Sequence, residues 1–160
     1  MDHLITLDAA GRMVPADRPA LERYVAERLG GTRELRKAGV GLLALGRLPE
    51  ALTTLERALA HAEGTGRVAV RINLGDAHRY AGDLAAAEPH YLEALRLARA
   101  DHPELTHYCL QHLGKHRTDQ GRLPEARAAL AEALTLRQHL GDPALVASTE
   151  AALRRAGTTG

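Results

Sequence analysis

The sequence contains no phenylalanine or tryptophan, and tyrosine occurs only four times. A core must therefore be built from leucine, alanine and valine, which suit closely packed helices. The single cysteine, Cys109, excludes an intramolecular disulfide and favours a reducing compartment. No apolar run approaches the roughly 20 residues that a membrane span requires, and the first residues lack a secretory signal pattern. We expect a cytoplasmic protein that is not associated with a membrane.

The chain also lacks an excess of either charge, with 21 basic and 20 acidic residues. Nucleic-acid-binding domains usually carry a basic patch or stripe, so we expect no nucleic-acid partner. Lysine is nearly absent, since Lys37 and Lys115 are the only two. The arginines that replace it either recognise anions, for which their planar fork is suited, or reflect a compositional bias.

A pattern of small residues recurs three times along the chain. Gly39, Gly75 and Gly114 are each followed at the same spacing by an alanine, a large residue and a second alanine. The first of these alanines are Ala51, Ala87 and Ala126, which are 36 and 39 positions apart. Such a period is typical of stacked supersecondary units.

Each unit has the periodicity of two helices joined by a tight turn. Leu35, Ala38 and Leu42 form one helical stripe, and a second stripe begins at Leu48. Between them, Gly46 is expected to take the left-handed conformation that closes a helix, as are Gly82 and Gly121 in the later units. We predict that the interior glycines face the alanines of the paired helix, so that small residues oppose small residues.

This pattern resembles the tetratricopeptide repeat. The resemblance covers about residues 32–141 and implies an all-α, right-handed solenoid of three helical hairpins. The units are longer than is usual for the family and resemble the extended arrays of bacterial regulatory proteins and motor light chains. The repeats carry these residues at the family's positions: Gly39, Gly46, Ala51, Leu55, Ala58; Gly75, Gly82, Ala87, Tyr91, Ala94; Gly114, Gly121, Ala126, Leu130, Ala133.

Both ends of the chain differ from the repeats, as the ends of a solenoid should. We expect an N-terminal helix within residues 17–31, a capping helix over residues 142–156 that starts at Asp142-Pro143, and a frayed tail at 157–160. Residues 1–16 form either a small hairpin, with strands at 4–7 and 12–14, or a disordered arm. A further hypothesis is that this arm contributes to a homodimer by adding or exchanging a strand.

The resemblance implies that partners bind in a concave groove lined by the first helix of each unit. An extended peptide that has acidic residues or a free C-terminal carboxylate is the expected partner, because arginine and asparagine hold carboxylate and backbone groups. The candidate binding residues are Arg33, Arg36, Lys37, Val40, Asn73, Asp76, Arg79, Tyr80, Tyr108, Gln111, His112, Lys115 and Asp119.

Two further interpretations of these residues remain open. One subclass of the family clamps a C-terminal carboxylate, and Arg36 and Asn73 match two of its positions, whereas Val40, Tyr108 and His112 depart from it. Alternatively, the cations Arg36, Arg79 and Lys115 are merely solvated or paired with Asp76 and Asp119.

Enzymatic chemistry finds little support in the sequence. His112 and His116 share a helix face at a spacing that suits a metal, with His107 or His78 as further candidates, yet no carboxylate lies between them as in a zinc-protease helix. Cys109 lies near His107 and His112, but neighbours on a helix point in different directions. We therefore predict a non-enzymatic module that binds a protein or peptide and needs no cofactor or metal. The alternatives are a self-associating structural or regulatory module and, less favoured, a metal-binding protein.

Overall fold

Antiparallel pairs of α-helices stack along the part of the chain that the structure, a computed structural model, describes: residues 1–31 and 34–158. Each helix packs on the next one, and α2, α4 and α6 also contact one another in sequence. The all-α hairpin array predicted from the repeats is confirmed. The helices are α1 (Arg18–Ala26), α2 (Leu35–Ala44), α3 (Leu48–Ala60), α4 (Gly64–Tyr80), α5 (Leu84–Asp101), α6 (Thr106–Asp119), α7 (Leu123–Leu140) and α8 (Pro143–Thr158).

A small hairpin precedes these helices. Strands β1 (Ile5–Leu7) and β2 (Met13–Pro15) pair in antiparallel register after a 3₁₀ turn at Asp2–Leu4. The loop between them is closed by the carboxylate of Asp8, which accepts a hydrogen bond from the Arg12 N–H at 2.9 Å. β1 begins one residue later than the sequence indicated and ends where expected, whereas β2 both begins and ends one residue later.

The turn inside each helical pair depends on a glycine with positive φ. Gly46, Gly82 and Gly121 have φ values of 75°, 83° and 74°, a region that side chains with a Cβ rarely enter. After Gly46, the Arg47 N–H donates to Leu42 O at 2.9 Å, which satisfies a carbonyl at the end of α2. The prediction of left-handed glycines at these turns is confirmed.

The interior glycines meet, first of all, a large side chain that the sequence did not suggest. A Cβ at Gly75 would lie 2.6 Å from Tyr91 Cε1, and Cβ atoms at Gly39 and Gly114 would overlap Leu55 and Leu130 in the same way. Among the nearest atoms an alanine appears only at Gly114, where Ala126 O would lie 3.3 Å away. A glycine in the first helix receives the large side chain of the second, which brings the two helices close together.

The two ends of the helical stack are covered by α1 and α8. Leu21 and Val25 of α1 are buried against α2, where Gly41 has no room for a Cβ beside Val25. Asp142 caps α8 as expected, because its carboxylate accepts hydrogen bonds from the first N–H groups of that helix. The helix runs to Thr158, so residue 157, which we expected in a frayed tail, is helical.

The start of α6 also differs from the sequence prediction. Asp101-His102-Pro103 has the sequence of a capped helix start, with a proline in the first turn, but Asp101 is the last residue of α5 and Pro103–Leu105 forms a separate 3₁₀ turn. The helix proper begins at Thr106.

A substitution at Gly75 tests the contact between the paired helices. We expect Gly75→Ala to lower the free energy of unfolding by about 1–3 kcal/mol, because the fully buried Tyr91 ring would have to move. Urea denaturation followed by circular dichroism measures this change. Gly66→Ala is the matched control in the same helix, since nothing lies within 4 Å of its added Cβ. Equal stabilities of the two variants would contradict the packing described here.

Candidate functional site

The residues predicted to bind a partner lie along α2, α4 and α6, which together with α8 form one side of the stack, here called the inner face. The structure brings most of them together, but it buries many of them. Asn73, Asp76, Arg79, Gln111 and Lys115 are all buried, with exposures of 8% or less. They are therefore covered by neighbouring elements and do not project into an open groove.

A buried carboxylate joins three helices beneath the inner face. Asp76 of α4 accepts a hydrogen bond from the Tyr91 hydroxyl of α5 at 2.7 Å. Its carboxylate also lies 3.0 Å from Nδ1 of His112 in α6 and 3.3 Å from Nη2 of Arg79. A carboxylate can only accept hydrogen bonds, so Nδ1 of His112 carries the proton.

The charge state of Asp76 follows from these contacts. Complete burial would raise the pKa of Asp76, but His112, Arg79 and the Tyr91 hydroxyl hold it well below its ordinary value. Burial lowers the pKa of His112 despite the nearby carboxylate. The centre of the site is thus an ionised Asp76 that holds a neutral His112 in a fixed tautomer.

Arg79 is used within the fold and is not available to a partner. Its side chain is 1% exposed and pairs with Asp119 at 3.0 Å as well as with Asp76. Asp119 also pairs with Arg155 of α8 at 3.4 Å. The alternative considered for Arg79, that it pairs with Asp76 and Asp119, is the arrangement that the structure has.

The other candidates are paired within the chain, buried, or outside the described residues. Lys37 is exposed and pairs with Glu34 at 3.0 Å, and the amide of the buried Gln111 approaches Ser148 of α8. Asn73 is buried, and its Oδ1 has no hydrogen-bond partner in the described part of the chain. Val40 is buried in α2. Arg33 lies outside the described residues.

Two cations on the inner face remain without such contacts. Neither Arg36 nor Lys115 forms a hydrogen bond or an ion pair with any residue that the structure describes. Arg36 of α2 is half-buried and lies near the Tyr108 hydroxyl, whose pKa is raised by burial and lowered in part by this guanidinium. Burial lowers the pKa of Lys115, opposed by Asp76.

The N-terminal hairpin lies across the inner face, which the sequence did not reveal. The Met13 N–H donates to the Tyr80 hydroxyl at 3.0 Å, and the Arg12 guanidinium lies 5.4 Å from the centre of the Tyr80 ring. At the far end of the face, Arg155 donates to Ala10 O at 2.6 Å. The hairpin thus bridges from α4 to α8 and covers part of the predicted binding surface.

The metal and thiol alternatives gain no support from the geometry. His112 is engaged with Asp76, while His116 is fully buried with its ring 5.1 Å from that of Tyr91. Within residues 1–31 and 34–158, no three His, Cys, Asp or Glu side chains are grouped closely enough to hold a metal ion. Burial raises the pKa of Cys109 to about 12, so its thiol is protonated at neutral pH and is a poor nucleophile.

The junction at Asp76 can be tested by removing its carboxylate. We expect Asp76→Ala to lower the free energy of unfolding by about 3 kcal/mol, because the buried Arg79 loses one of its two counterions. Denaturant titration at pH 7 measures the loss. Glu50→Ala, which breaks an exposed pair with Arg47, is the control and should leave stability nearly unchanged.

The same variant has a defined pH dependence. The pKa of Asp76 is lower in the folded chain than in the unfolded chain, so its ionised contacts stabilise the fold above the ordinary Asp pKa of about 3.9. That stabilisation is lost as the pH falls below this value. The stability difference between the parent chain and Asp76→Ala should therefore narrow in acid, and a constant difference would contradict the ionised state assigned to Asp76.

Comparison with known proteins agrees with the geometry. Residues 26–100 match the family model of the tetratricopeptide repeat. The comparison with curated proteins returns no match. None of the described helices is both long and apolar enough to cross a membrane. The matched residues include the helical pairs α2–α3 and α4–α5, with their glycine turns and their small and large residues. Residues 26–100 therefore match the tetratricopeptide repeat, a family whose members generally mediate protein–protein interactions.

Proposed function

We propose that this chain is a non-enzymatic adaptor or regulatory module that binds a protein partner through the inner face. The observation that carries the proposal is the pair of cations, Arg36 and Lys115, that form no hydrogen bond or ion pair with the described residues. Desolvated cations without counterions are costly in a folded protein, so a ligand that supplies the missing oxygens gains affinity from them. The single buried Cys109 fits a reducing, cytoplasmic location.

An acidic peptide segment or a free C-terminal carboxylate is the partner that these cations favour. Hydrogen bonds in which both groups are charged are roughly twice as strong as neutral ones. Tyr108 lies near Arg36 and His112 near Lys115. These two rings and that of Tyr80 are partly exposed and offer aromatic surface for the peptide's side chains. Asn73, Asp76 and Arg79 support this surface from below and do not themselves contact the partner.

Removing the two cations tests the proposal. Arg36→Ala combined with Lys115→Ala should raise the dissociation constant for a fluorescent hexaglutamate peptide with a free C-terminus by about tenfold or more, since a hydrogen bond to a charged group contributes about 1.5–3 kcal/mol. Fluorescence anisotropy measures the affinity of the full chain.

The matched control is Arg23→Ala combined with Arg57→Ala, which removes the same charge from exposed positions of α1 and α3. This control should retain the parent affinity. An equal loss of affinity in both double variants would indicate unspecific attraction to the charged peptide and would contradict a site on the inner face.

Self-association is a second candidate function, favoured by the free side of the hairpin. β1 is paired with β2 on one edge only among the described residues, and Leu7 on this strand is 52% exposed. An exposed edge strand can pair with a second copy of the chain. If it does, light scattering should give twice the mass of the 17.2 kDa chain, and Leu7→Lys should restore the monomer. A monomeric parent chain at high concentration would remove this candidate.

A further inference from the structure

The tip of the N-terminal hairpin, residues 8–11, lies over the part of the inner face that holds Lys115. Ala10 O accepts a hydrogen bond from Arg155 Nη1 at 2.6 Å. A Cβ at Gly11 would lie 3.7 Å from Lys115 Nζ, so the backbone of the tip is next to this amine. The Lys115 side chain retains little contact with solvent, with 8% exposure.

The base of the hairpin is anchored in the apolar core. Leu4 is buried in the cluster that contains Leu21 and Leu43, and Ile5 and Met13 pack against the same cluster. Together with the hydrogen bond between Met13 N–H and Tyr80, these contacts hold the base at the first two helical pairs. Lifting the base would therefore uncover apolar side chains, even though a cavity of about 260 Å³ lies between β2 and the end of α2.

The tip is held much more weakly than the base. A cavity of about 260 Å³ separates it from α6 and α8. The cavity walls are largely apolar and include Leu7 and Ala9 from the hairpin and Ala151 and Ala152 from α8. The charged residues of the lining are Lys115 and Arg155 from the helices and Asp8 from the tip. The tip meets the helices through Ala10 O and the backbone of Gly11, which lie against Arg155 and Lys115, so it can lift at the cost of few contacts.

The contact between the tip and Arg155 resembles the contact that a peptide ligand would make. The tip presents a neutral carbonyl oxygen, Ala10 O, to Arg155, and its backbone passes close to Lys115. A carboxylate in the same place would add the Coulomb attraction between opposite charges, which a neutral carbonyl lacks. An acidic ligand is therefore able to replace the tip.

We propose that the hairpin tip is an intramolecular occupant of the binding site, which an acidic segment of the partner protein must displace. The inference rests on the proposed function of the inner face and adds its regulation. In most molecules the tip lies on the helices, and only the small fraction in which it is lifted binds the partner. The apparent dissociation constant for the partner therefore rises in inverse proportion to that fraction. Any change that lifts the tip, such as the binding of another molecule to the hairpin, increases the affinity for the partner.

Lysine labelling measures how well the hairpin tip shields Lys115, and it requires no ligand. Lys115 and the exposed Lys37 are the only lysines, so amine acetylation of the full chain, mapped by mass spectrometry, yields a ratio of two rates within one protein. The lowered pKa of Lys115 favours the reactive neutral amine, and slow labelling of Lys115 therefore reports steric cover. We expect Lys115 to react much more slowly than Lys37 in the parent chain.

Two tip variants should raise the labelling rate of Lys115, relative to that of Lys37, severalfold. Gly11→Val places a branched residue at a φ of 71°, where it is strained, and Asp8→Ala removes the acceptor that closes the loop. Arg18→Ala, on the exposed side of α1, is the control and should leave the ratio unchanged. Circular dichroism checks that every variant is folded. Comparable labelling rates for Lys37 and Lys115 in the parent chain would show that the tip does not cover Lys115 and would overturn the proposal. A rate ratio that is unaffected by both tip variants would do the same.

The hexaglutamate peptide then tests competition. Gly11→Val and Asp8→Ala should bind it severalfold more tightly than the parent chain and the Arg18→Ala control. If the tip variants expose Lys115 but leave the affinity unchanged, the tip does not compete with the ligand and the proposal is wrong. If the peptide binds neither the parent nor the variants, the acidic partner of the proposed function is wrong, and with it the displacement, while the labelling ratio still decides whether the tip covers the site.

Discussion

The buried charge of Asp76 is the constraint on which the inner face depends. An ionised carboxylate with no exposure to solvent is stable only when several donors surround it. Here the donors come from α4, α5 and α6, in the form of Arg79, Tyr91 and His112. Any shift of one of these helices against the others would break a contact to this charge, so the Asp76 junction fixes the relative positions of the second and third helical pairs.

This constraint also decides which residues remain for binding. Arg79 and His112 have the chemistry of ligand-binding groups, but their polar atoms are committed to Asp76 and Asp119. Arg155 is committed to Asp119 and to the hairpin tip. Among the described residues of the inner face, Arg36 and Lys115 are then the cations without a hydrogen bond or ion pair.

The sequence predicted those parts of the fold that depend on local chemistry. The glycine turns were predictable because a positive φ at Gly46, Gly82 and Gly121 is a local requirement, and the helical pairs because their apolar periodicity is repeated. The residues that the interior glycines contact were not predictable, since the contact of Gly75 with Tyr91 depends on how far one helix is displaced along its partner. Nor was the burial of the inner face, because the residues that cover it come from distant parts of the chain. The contact of Ala10 with Arg155 joins residues 145 positions apart, and no local sequence pattern predicts it.

The chain's own hairpin lies on the inner face of the repeats, and the exchange rate of a single amide tests this placement most directly. We expect the Met13 amide hydrogen to exchange much more slowly than solvent-exposed amides in the free chain, because it is donated to the Tyr80 hydroxyl. Nuclear magnetic resonance resolves this amide, and Tyr80→Phe should accelerate its exchange while the helices keep their protection. Exchange of the Met13 amide at the rate of an unstructured peptide in the parent chain would contradict the account.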